Sequence, residues 1–114
     1  MAERFGERIR RVRTEKGLGL RETATKVGIS ATYLSRIETN EEKTPPAEKV
    51  IRALAGLLSD NFDELMSLAG RIPSDVTEYF ATDPGLPAFL RRAKEKGLSS
   101  EDLQRRLVDK KGKT

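Results

Sequence analysis

Between Leu20 and Glu38 the chain reads LRETATKV, then GIS, then ATYLSRIE, and this spacing constrains the fold more than any other feature. Amphipathic segments of eight residues are too short to stand alone, because isolated helices below about 12 residues are marginal in water. Packing must hold both, and a three-residue junction carrying Gly28 makes them cross steeply. Gly28 supplies the left-handed backbone that such a turn needs. Ala24 is small where the two helices approach, Ile29 and Leu34 fill the corner, and Ser30 is a good N-cap. With Leu34 and Ile37 inward, the residues left outward are Ser30, Ala31, Thr32, Tyr33 and Arg36.

Similar punctuation divides the rest of the chain. Phe5, Ile9 and Val12 form one stripe of a helix over Glu3–Lys16, ended by Gly17. After the loop TNEEKTPP, a fourth helix over Ala47–Leu58 is expected to bury Val50, Leu54, Leu57 and Leu58, with Gly56 placed for a close neighbour. Asn61 caps a fifth, Glu64 completes its capping box, and Leu65 and Leu68 face inward. Beyond Gly70 three prolines punctuate the sequence. One short helix is expected around Asp75–Phe80, a second starts at Asp83 and Pro84 and stops at Gly97, and a third follows a Ser99–Asp102 capping box. The terminal KKGKT should fray. No strand pattern and no internal repeat occur. The expected fold is all-α: residues 1–70 as one domain, 71–110 as a helical extension, and 111–114 as a disordered tail.

Composition narrows the chemistry. Among 114 residues there is no cysteine and no histidine. That excludes disulfides, thiolate chemistry, the usual general base near neutral pH and the commonest metal ligand. No paired carboxylates sit among apolar residues, so the expectation is a non-enzyme without cofactor or metal. No apolar run approaches the roughly 20 residues needed to span a bilayer, and MAERFGERIR lacks the apolar middle of a signal peptide. A cytoplasmic protein with no membrane partner is expected. The net charge of +4 is too small to establish nucleic-acid binding by itself. Arg8, Arg10, Arg11, Arg13 and Lys16 crowd one helix, where Arg10 and Arg11 read as a solvated face, with phosphate contact the alternative.

The outward residues of ATYLSRIE are short or hydrogen-bonding and stand at a helix N-terminus, whose free amides favour phosphate. A recognition helix enters the major groove in this way. Here the sequence resembles the Xre family of helix-turn-helix regulators, the Cro/phage-repressor type. The likeness spans about residues 4–70 and is carried by IRRVRTEKGLGLRETATKVGISATYLSRIE, PPAEKVIRALAGLL and DELMSLAG. It implies a five-helix domain whose third helix reads bases, with Ala31 and Thr32 at base edges and Ser30 at the cap. Tyr33 and Arg36 fall toward DNA, and Asn40 and Lys43 lie in the following loop, where phosphates are held. It also implies a structural ion pair between Arg13 and Glu38. The chain departs from the family where Gly19 and Leu20 replace the usual cap and glutamine, so Arg21 becomes the candidate phosphate contact. Thr23 stands for a usual leucine, and Asn40 for a usual glycine.

The resemblance thus implies a sequence-specific regulator of double-stranded DNA, a repressor. The competing reading is an antitoxin or a co-regulator-type protein-interaction module on the same fold. The apolar residues Leu86, Phe89, Leu90, Leu98, Leu103 and Leu107 either pack on the chain's own domain or form a homodimer interface, the preferred reading. Nothing in the sequence names an effector.

Overall fold

The computed structural model describes residues 3–112, and the helices run in the order α1 (Phe5–Glu15), α2 (Leu20–Val27), α3 (Ala31–Glu38), α4 (Glu48–Leu58), α5 (Phe62–Leu68), α6 (Ser74–Thr82), α7 (Leu86–Glu95) and α8 (Ser100–Gly112). No strand occurs among the described residues. Two compact units result, one ending at Pro73 and one beginning at Ser74.

The first unit closes around one core. Phe5 and Ile9 of α1, Ala24 of α2, Leu34 and Ile37 of α3, and Ile51, Leu54, Ala55 and Leu58 of α4 meet Leu65 and Met66 of α5. The inward stripe of α4 is therefore 51, 54, 55 and 58, a three-and-four spacing that fits the helical repeat. Val50 and Leu57, expected inside, stand at its margins and are only half-buried. In α5 Met66 is fully buried, whereas Leu68 is half-buried.

Gly56 has no close neighbour among the described residues: a Cβ built there would meet none of them within 4 Å. The close approach is made by Gly6 instead, where a Cβ would lie 2.1 Å from the Ile37 carbonyl oxygen. Helix α1 thus crosses directly over the last turn of α3. Thr23 is fully buried, and its Oγ1 finds no hydrogen-bond partner among the described residues.

Polar ties lock the edges of this core. Arg8 donates from Nε and Nη2 to Asp60 at 3.0 and 2.6 Å and from Nη2 to Glu64 at 3.1 Å, joining α1 to the α4–α5 turn. Asn61 Oδ1 accepts from the Glu64 amide at 2.9 Å, but the Asn61 amide donates to Asp60 Oδ1. The expected capping box is thus half made, because Glu64 reaches for Arg8. Arg71 donates to the carbonyls of Pro46 and Pro45 at 2.6 and 3.0 Å. The residues just past 70 therefore belong physically to the first unit.

In the second unit Ala93 is the buried residue among the described ones. Helix α7 starts at Leu86 with Pro87 in its first turn, and Asp83 serves the preceding turn by accepting from the Gly85 amide at 3.1 Å. The start expected at Asp83 and Pro84 is displaced for that reason. Before α8, Ser99 and Asp102 bond reciprocally, Asp102 accepting at 2.8 Å and the Ser99 hydroxyl at 3.2 Å. Helix α8 includes residues 111 and 112, which the sequence reading assigned to a frayed tail. Residues 113 and 114 of that tail lie outside the described residues.

Candidate nucleic-acid interface

Helix α3 is set at its angle by backbone geometry. Gly28 ends α2 at φ 81°, its amide donates to Thr25, and the Ile29 amide returns to the Ala24 carbonyl at 2.9 Å. The chain leaves in extended form through Ser30, whose Oγ accepts from the Tyr33 amide at 3.0 Å. This side-chain cap satisfies one of the free amides at the start of α3.

The outer face of α3 divides by exposure. Ser30, Thr32 and Arg36 are exposed, while Ala31 and Tyr33 are half-buried and pack against the core. Thr32 and Arg36 lie four residues apart and share one face. Tyr33, Arg36 and Lys43 border one surface groove, together with Glu41, Glu42, Thr44 and Pro45. Arg21 stands in the first turn of α2, exposed and unpaired among the described residues, as are Lys43 and Arg10. Asn40 takes the left-handed conformation at φ 59°, and its Oδ1 sits close to Gly6. The side chain of Asn40 thus turns back toward α1. Arg11 is bound to Glu3 at 2.7 Å and to Glu15 at 3.2 Å, so its charge is already balanced.

Behind this face Arg13 and Glu38 form a two-pronged pair. Arg13 Nε and Nη2 donate to the carboxylate at 2.7 and 2.9 Å, and Nη1 donates to the Leu18 carbonyl at 2.8 Å. The side chains are 11% and 4% exposed. The Glu38 carboxylate holds the Arg13 guanidinium even more firmly protonated than usual. The pair fastens α3 to α1 and to the loop before α2, so it fixes the height at which α3 stands out.

Glu41 and Glu42, which border the same groove as Arg36, are the neighbours of this face that sequence reasoning passed over. Glu42 accepts from Arg36 Nη2 at 3.4 Å, and Glu41 accepts from the Thr39 hydroxyl at 2.6 Å. The available signal was two adjacent acids in a loop where phosphate contacts were expected.

A capped, outward-standing α3 that crosses α2 at a glycine turn, backed by α1, α4 and α5, defines a helix-turn-helix domain. The family model of the helix-turn-helix domain matches residues 6–71, and the chain belongs to this family, within its Xre type. It is 40% identical over 70 residues to the HTH-type transcriptional repressor RghR of Bacillus subtilis, covering 61% of this chain and 51% of RghR. The chain therefore spans about half the length of that relative. The structure of SinR, the master regulator for biofilm formation, in complex with DNA is 34% identical, with a TM-score of 0.50, and covers 54% of this chain and 97% of that one. A SinR–SinI complex is similar over 96% of both chains, at 26% identity and a TM-score of 0.52.

Proposed function

We propose that this chain is a sequence-specific, double-stranded DNA-binding transcriptional repressor that reads the major groove with α3. The observation that carries this reading is the exposed pair Thr32 and Arg36, set beside the Ser30 cap on a domain similar to DNA-bound SinR. In this reading Ala31 is an apolar contact or clearance at a base edge, and Tyr33 flanks it. Arg21 and Lys43 take backbone phosphates, because both are exposed and unpaired among the described residues. Asn40 contributes through its backbone turn more than through its side chain.

The second unit pairs two copies. Phe89 and Leu107 are 54% and 61% exposed, and with Ala93, Leu98 and Leu103 they line a groove between α7 and α8 that Arg92, Lys96 and Arg106 also border. Two recognition helices about one helical turn apart, some 34 Å, would double the number of base pairs read. A protein-interaction role for the same helices is the second reading, favoured by the likeness to the SinR–SinI complex.

Selection of bound sites from a random duplex library tests the main reading. Thr32→Ala and Arg36→Ala should each weaken binding to the selected site by about 1–3 kcal/mol, and binding to scrambled DNA much less. Unchanged motif and affinity in both variants would remove the assignment of α3.

A further inference from the structure

The loop after α3 carries two carboxylates, Glu41 and Glu42, and a single lysine, Lys43, before Pro45. It also folds back over the last turns of α3. The Glu41 amide donates to the Arg36 carbonyl at 2.9 Å, and the Glu41 carboxylate takes the Thr39 hydroxyl at 2.6 Å. These two bonds fix the loop where Glu42 reaches Arg36. The contact is end-on and long, 3.4 Å from Nη2 to Oε2, with Arg36 51% exposed and Glu42 28% exposed. An exposed pair of this kind is weak and exchanges readily. It occupies one nitrogen of a guanidinium that has five donors, and it leaves most of the fork open.

From this arrangement we infer that Glu42 is a specificity-determining residue: it restrains Arg36 and screens it from phosphate, so that Arg36 contributes binding energy chiefly where a guanine presents O6 and N7 together. The inference rests on α3 being the recognition helix. Its physical basis is a competition among acceptors. A DNA phosphate offers Arg36 one more anion, and exchanging one anion for another gains little. The phosphate must also approach the Glu42 carboxylate, which repels it. A guanine edge is neutral, accepts two parallel bonds from the fork and meets no such repulsion. The Glu42 carboxylate therefore lowers binding to random duplex more than binding to a site with guanine at the right position.

The test uses the full chain with two duplexes: one recovered by selection from a random library, and a scrambled duplex of equal composition. Glu42→Gln keeps the size of the side chain and removes its charge. It should tighten binding to the scrambled duplex several-fold and to the selected duplex less, so that the ratio between them falls. The slope of log affinity against log salt on the scrambled duplex should steepen by about 0.9, as the released Arg36 finds one phosphate. In an Arg36→Ala background the same substitution should lose that extra slope. Glu41→Gln removes an equal charge but keeps a side-chain oxygen to accept the Thr39 hydroxyl, so the loop stays in place and the ratio between the two duplexes should remain that of the parent. An unchanged ratio in Glu42→Gln, or a gain that persists without Arg36, would overturn the inference and reduce Glu42 to general repulsion. Failure of the parent chain to bind any selected duplex would instead overturn the recognition-helix reading beneath it.

Discussion

At the scale of single residues, charges that look alike in the sequence have different work. Arg10, Arg11 and Arg13 crowd one helix, yet Arg11 is neutralised by surface acids and Arg13 is held against the buried Glu38. Removing one partner of a buried pair strands the other, at a cost that can reach about 3–5 kcal/mol. Arg13→Ala should lower the melting temperature well below that of Arg10→Ala, which removes a surface charge unpaired among the described residues. Equal and small changes in thermal melts would show that the pair contributes little. The Arg8–Asp60 tie adds a pH dependence. Arg8 holds the Asp60 carboxyl below the ordinary aspartate range, helped by the Asn61 amide. A depressed folded-state value stabilises the fold above the unfolded value of about 4, and this contribution is lost as pH falls through the folded value. Asp60→Asn should therefore be less stable than the parent at pH 7, and the gap should narrow in melts taken below about pH 4. A gap that stays constant down to pH 2 would count against the linkage.

At the scale of elements, two helix glycines should respond oppositely to one substitution. Gly56 lies exposed in α4 with open space where a Cβ would go, so Gly56→Ala should gain about 0.5–1 kcal/mol from helix propensity. Gly6 lies where α1 crosses α3, and a Cβ there would also fall 2.9 Å from the Glu38 carbonyl oxygen. Gly6→Ala should force the helices apart and cost about 1–3 kcal/mol or more. Denaturant titrations of the two variants settle the sign of each, and stabilisation by both would mean that α1 does not approach α3 so closely. Helix propensity alone assigns the same sign to both, so the difference comes entirely from the crossing.

At the scale of the whole molecule, Arg71 decides where the chain can be cut. It closes the α3–α4 loop through the Pro45 and Pro46 carbonyls, so a fragment ending at residue 73 keeps a tie that one ending at 70 loses. The fragment 1–73 should unfold cooperatively, sediment as a monomer and bind a selected duplex more weakly than the full chain. Equal binding by the two, or a monomeric full chain at tens of micromolar, would defeat pairing through α7 and α8.

The number of helices, their approximate limits, the glycine turn between α2 and α3, the Ser30 cap and the outward Thr32 and Arg36 were all legible in the sequence. Each is set by local rules: hydrophobic period, capping and the backbone freedom of one glycine. Tertiary structure decided what depends on which surfaces meet. It chose Ile51 and Ala55 over Val50 and Leu57, because packing selects among neighbouring apolar positions on one helix. It buried the Thr23 hydroxyl, turned Asn40 toward α1, and made Gly6 rather than Gly56 the point of contact. It also placed Glu42 beside Arg36, a pairing across six residues that helical spacing does not predict, because the chain between them leaves the helix. Local rules specify elements through short-range sterics and hydrogen bonding, whereas these choices depend on distances between segments far apart in the chain.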